Sequence, residues 1–144
     1  MTPHRFRATP VLPLAGLILA LCACTGPRQP ACEPGLGTPM SLFTLYLGEA
    51  IPGRTDLTDK EWQSFLDGTV TVNLPNGYTV LDGFGAWMNP ATHKTSREAT
   101  KVVVVALPDA PESLAAINRI RNEYVTMFHQ QLVGMTVQPA CASF

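Results

Sequence analysis

Thr100-Lys101-Val102-Val103-Val104-Val105-Ala106-Leu107, followed by Asp109-Ala110-Pro111-Glu112, is the stretch on which the fold turns. An unbroken valine run predicts a central strand buried on both faces. Proline in a first helical turn, with an acid beside it at the positive helix end, predicts that a helix follows at once. Leu114, Ile117, Ile120, Tyr124 and Phe128 then recur at helical spacing, so the helix carries one apolar stripe. Gly134 is expected to break it, and Met135 to Phe144 to form a last strand.

Upstream, Met40 to Gly48 reads as a first strand ended by glycine. Leu57-Thr58-Asp59-Lys60-Glu61-Trp62 is a helix start. Thr58 and Glu61 have capping-box spacing, and Leu57 and Trp62 have the spacing of a hydrophobic staple. Trp62, Phe65, Leu66 and Val70 continue one apolar helix face. Tyr78 to Met88 reads as a second strand, with Gly83 and Gly85 marking a bulge or a close backbone approach. The order is strand, helix, strand, strand, helix, strand. It predicts an α+β, ferredoxin-like βαββαβ sandwich with a four-stranded antiparallel sheet and two helices on one face.

The first residues carry an address. Arg5 and Arg7 precede a short apolar segment, Val11 to Leu21, which is too short for a stable membrane-spanning helix. Leu21-Cys22-Ala23-Cys24 then looks like the lipobox of bacterial lipoproteins. Small Ala23 sits directly before Cys24, and Leu21 sits three positions upstream of it, whereas Cys22 follows bulky Leu21. The expected division is a signal peptide over 1–23, a lipidated Cys24 with a Pro/Gly-rich tether over 24–39, and a folded domain over 40–144. The competing reading is an ordinary secretory signal cut elsewhere. A diacylglyceryl thioether with an acylated (typically palmitoyl) amino terminus supplies the two anchors that stable membrane attachment needs. Thr25 after the cysteine points to the outer membrane, facing the periplasm.

Without the leader the chain holds eight basic and eleven acidic residues, a net charge of −3. It has no basic stripe, so nucleic acid is not an expected partner. Outside the cytoplasm the leftover pair Cys32 and Cys141 reads as a disulfide, the other reading being two free buried thiols. The topology supports the bond, because the end of a last strand paired with the first lies beside that first strand's beginning. His93 and His129 have no ligand spacing to a cysteine, so neither a metal nor a cofactor is expected.

Leu45-Tyr46-Leu47-Gly48, the Trp62 helix with Phe65-Leu66, Tyr78-Thr79-Val80-Leu81-Asp82-Gly83 with Trp87, and Arg97-Glu98-Ala99-Thr100-Lys101-Val102 belong together. With the terminal Pro139-Ala140-Cys141-Ala142-Ser143-Phe144 they resemble a family of small bacterial exported proteins, a domain of unknown function often preceded by a lipoprotein leader. The resemblance covers most of 32–144. It implies a cysteine pair matching Cys32 and Cys141 and implies no activity or catalytic residue. The loop 89–96, with His93 and Lys94, departs from the family pattern.

No catalytic constellation stands out. Cys–His chemistry fails if Cys32 and Cys141 are bonded and Cys24 is acylated. His129 is better explained by the carbonyl-rich end of the second helix. Asp56, Asp59 and Glu61 suit a first helical turn. The more informative cluster is Tyr46, Trp87, Arg97 and Lys101. Alternation along the first strand places Phe43, Leu45 and Leu47 on one face, and Leu42, Thr44 and Tyr46 on the other. If the first set faces the helices, Tyr46 lies on the open face. Lys101 is expected to pair with Glu98 or Asp82, to snorkel to the sheet edge, or to meet an anionic ligand.

Two functions follow as expectations. One is a non-enzymatic cell-envelope lipoprotein that binds a partner, a second copy of itself or a small ligand through the open face. The other is a small dimeric enzyme with a sheet-face pocket where Tyr46, Arg97 and Lys101 converge.

Overall fold

The computed structural model describes residues 31–88 and 90–144. The leader, Cys22, Cys24 and the tether up to residue 30 lie outside the described residues. Strands β1 (Thr38–Gly48), β2 (Thr79–Met88), β3 (Thr95–Leu107) and β4 (Gly134–Ala142) form one antiparallel sheet in the order β2-β3-β1-β4. The first helix is α1 (Asp59–Phe65), which runs on through a π-helical turn (Leu66–Val70) into α2 (Thr71–Asn73). The second is α3 (Pro111–Phe128). The architecture is the α+β, ferredoxin-like sandwich expected from the order of elements.

One face of the sheet is covered. Phe43, Leu45 and Leu47 of β1 pair in register with Val105, Val103 and Lys101 of β3, and the five apolar members are buried. They meet Trp62, Phe65 and Val70 from the first helix and Ile117, Ile120, Tyr124 and Phe128 from α3. Phe65 lies edge-on to Tyr124 and Phe128, with ring centroids 5.1 Å and 5.8 Å away. Such contacts add about 0.5–1.5 kcal/mol per pair beyond area burial.

The capping box forms. The Glu61 amide donates to Thr58 Oγ1 at 3.3 Å, while the Thr58 amide donates to Glu61 Oε2 at 3.0 Å. The π-helical turn was not legible in the sequence. It buries Thr69, whose hydroxyl donates to the Glu123 carboxylate on α3 at 2.6 Å.

Three expectations need correction. The valine run of β3 is buried on one face only: Val103 and Val105 are core, while Val102 and Val104 face the uncovered side and are half-buried. Leu114 is exposed, and Ala116 stands in its place on the buried stripe of α3. Helix α3 ends before Gly134, at Phe128, where His129 takes a left-handed cap with φ 53° and Gly134 instead opens β4. Of the two readings offered for Gly83 and Gly85, the bulge is absent, since β2 and β3 pair without a break from Thr79↔Val104 to Met88↔Thr95. They do mark close approach. A Cβ on Gly83 would lie 3.3 Å from Val102 Cγ2, and one on Gly85 would lie 3.2 Å from Thr100 Oγ1.

The tether is stapled to the sheet. Pro39 of β1 pairs with Cys141 of β4, and Cys32 and Cys141 are joined in a disulfide with α-carbons 5.8 Å apart. The expected pairing and the strand order agree.

Candidate functional site on the open sheet face

Because the two helices cover only one face, the registers decide what the other displays. Tyr46 of β1 pairs with Gly134 of β4 and Val102 of β3, and Val102 pairs with Leu81 of β2. The next row is Gly48, Thr100 and Gly83. Beyond it come Glu98 opposite Gly85, then Ser96 opposite Trp87. Paired residues share a face, so these side chains all project to the uncovered side.

Together they form a groove of about 400 Å³. Its floor is paved by glycines, with Tyr46 and Trp87 as walls and Leu132 and Gln130 closing one end. Tyr46 is 42% exposed and Trp87 50% exposed. The glycines are needed for shape. A Cβ on Gly48 would lie 2.7 Å from Glu98 Oε2, so the carboxylate rests directly above the floor. A Cβ on Gly134 would lie 3.3 Å from the Tyr46 Cβ, so the tyrosine leans across β4.

The wall from the α3–β4 connection is held in place. Gln130 Nε2 donates to the Ala50 carbonyl at 2.6 Å. The Arg121 guanidinium donates twice to the Val133 carbonyl, at 3.0 Å and 3.2 Å.

The sequence cluster divides. Tyr46 and Trp87 line the groove, but Arg97 and Lys101 do not. Both alternate onto the opposite side of β3. Lys101 donates to Asp82 Oδ1 at 2.6 Å and lies 3.8 Å from Glu49 Oε1, so it meets the structural partner expected of it. The Asp82 hydrogen bond raises its pKa above the ordinary 10.5, against the opposing effect of burial. Arg97 is exposed near the tip of the β2–β3 hairpin, opposite Ala86.

Sequence reading missed Glu98, Thr100 and the glycine floor as a site. Glu98, a possible partner for Lys101 by sequence, sits on the other face and makes no side-chain hydrogen bond or ion pair among the described residues. Thr100 is buried, 8% exposed, beside it. The signal available in the sequence was the coincidence of Gly48, Gly83 and Gly85 on strands already expected to be adjacent. Beneath the floor, the Tyr124 phenol is pushed above its ordinary pKa by burial first, then by the Glu49 and Glu98 carboxylates.

Among the described residues no group of His, Cys, Asp and Glu is placed to hold a metal ion. No helix among them is long and apolar enough to cross a membrane.

Solved structures share the fold. A phage SAM lyase in complex with S-methyl-5'-thioadenosine is similar at a TM-score of 0.52 and 10% identity, covering 72% of this chain and 90% of the lyase. The apo form of a phage SAM lyase is similar at a TM-score of 0.52 and 11% identity, covering 79% and 98%. At such identities the likeness is one of fold alone. No curated protein matches the chain. The profile of a family described as protein of unknown function (DUF3574) matches residues 43–144, so the chain, whose cysteine-closed sheet ends inside that match, belongs to the DUF3574 family.

Proposed function

We propose that this protein is a lipid-anchored cell-envelope binding module that works through the open face of its sheet. The observation that carries the reading is the groove beside Tyr46: exposed aromatic walls over a glycine floor, without the basic residues a converging catalytic cluster would have needed. An uncovered apolar surface of this kind marks an interaction site more often than a structural accident. Catalysis on a small molecule would have drawn support from Arg97 and Lys101 beside Tyr46, and they lie on the other side of β3. The Cys32–Cys141 bond suits an oxidising compartment, in keeping with export. The anchor on Cys24 and an outer-membrane address facing the periplasm complete the proposal.

Two measurements test it. Mass spectrometry of the mature amino terminus is expected to find Cys24 acylated and Cys22 removed. A processed chain with unmodified Cys24 refutes the anchor. Tyr46→Glu in the full-length lipoprotein, purified in non-ionic detergent, is expected to abolish self-association or ligand binding while leaving the circular dichroism unchanged. The helical core does not include Tyr46, so the fold is spared. Sedimentation and binding identical to wild type reject the open face as the working surface.

A further inference from the structure

We propose that the open-face groove binds a small organic cation, an ammonium or sulfonium centre, held by the Glu98 carboxylate against the Tyr46 and Trp87 rings. This rests on the reading of the open face as a binding surface and adds the chemistry of the occupant. Glu98 is half-buried and lies over the groove floor. It has no ion-pair or side-chain hydrogen-bond partner among the described residues, whereas Lys101 and Arg54 are each engaged with other carboxylates. A partly desolvated carboxylate without a partner is costly, and a bound cation removes that cost.

The rest of the lining agrees. No lysine, arginine or histidine lines the groove, so an anion would meet the Glu98 carboxylate with no cationic side chain to balance it. A neutral apolar ligand would strip water from Glu98 and return nothing. The exposed faces of Tyr46 and Trp87 attract a cation through their ring quadrupoles, tryptophan most strongly. A volume of about 400 Å³ suits a small molecule, within the range of ordinary ligand pockets.

The test uses full-length lipoprotein in non-ionic detergent, with choline and S-methylmethionine as cationic probes. Their uncharged-centre counterparts are 3,3-dimethylbutan-1-ol and methionine. The readout is the Trp87 indole N–H resonance, identified by its loss in Trp87→Ala, with buried Trp62 as internal reference. At least one cation is expected to shift the Trp87 signal and to bind about tenfold more tightly than its counterpart. Glu98→Gln is expected to remove about tenfold of that affinity, leaving the Trp62 signal in place. Binding that is equal for charged and uncharged probes, or indifferent to Glu98→Gln, or absent for both cations, overturns the proposal. If Tyr46→Glu still disrupts association in that case, only the ligand class falls and the open-face reading stands. If Tyr46→Glu is also silent, both fall.

Discussion

The Tyr124 hydroxyl donates a hydrogen bond to the Gly48 carbonyl 2.9 Å away, tying the C-terminal part of α3 to the last residue of β1 directly beneath the groove floor. The ring itself packs against Phe65 and Phe128 and is fully buried. Tyr124→Phe therefore keeps the packing and deletes one buried hydrogen bond. Urea denaturation should show a loss of about 0.5–1.5 kcal/mol. Tyr124→Ala, which also opens a cavity, should cost about 3–5 kcal/mol. A phenylalanine variant as stable as wild type would mean that the bond contributes nothing.

Lys101 and Asp82 are unequal partners. The Asp82 side chain is 83% exposed and returns to water if its partner is lost, while Lys101 and Glu49 are each only 14% exposed. Lys101→Met leaves the mostly buried Glu49 carboxylate with no counter-charge, so it should destabilise more than Asp82→Asn. The second change should fall below about 1 kcal/mol, because Asp82 is exposed and Lys101 keeps Glu49 as a partner. Because the folded-state pKa of Lys101 is raised, the stabilisation it gives is fully present below 10.5 and fades as pH rises through the higher folded value. Equal losses for the two variants, measured by denaturant midpoint, would contradict this division.

How far the chain could be read without coordinates depended on what each pattern encodes. Alternation along β1 assigned Phe43, Leu45 and Leu47 to the core, because a strand covered on one side must alternate. The run Val102–Val105 hid the same alternation, since valine serves a half-buried face as well as a core one. Leu114 was misplaced because a stripe read from apolar identity cannot show where a helix turns away from its neighbour. The groove was hidden for a different reason. Gly48, Glu98 and Gly85 are brought together by the registers of three strands, and no local spacing connects them.

The capping box supplies a pH signature. Glu61 accepts from the Thr58 amide and hydroxyl and pairs with Arg54 at 2.8 Å, and these bonds lower its carboxyl pKa from 4.5 to about 2, the Thr58 amide most of all. A lowered carboxylate pKa stabilises the fold above the unfolded value and loses that effect as pH falls. The stability gap between wild type and Glu61→Gln should thus be constant above 4.5 and close as pH falls towards about 2. Thermal melts at a series of pH values measure it directly. A gap that does not change across this window would show that the amide–carboxylate contacts work without the charge.

The last prediction concerns the junction where the tether meets β4. The Cys32–Cys141 bond spans a sequence separation of 109, so replacing both cysteines by serine should cost about 2–5 kcal/mol, mainly by freeing the unfolded chain. Gly37 lies beside it with φ +94°, and a Cβ there would run into the Ala142 carbonyl. Backbone cannot yield as a flexible side chain can, so Gly37→Ala should cost about 1–3 kcal/mol in the bonded protein. Once the bond is gone, the ends of β1 and β4 can separate locally and relieve the clash. The same alanine should then cost less, giving a coupling of about 0.5 kcal/mol or more in a double-mutant cycle. Strictly additive losses would mean that the junction keeps its shape unaided, and that the disulfide acts on the unfolded chain alone.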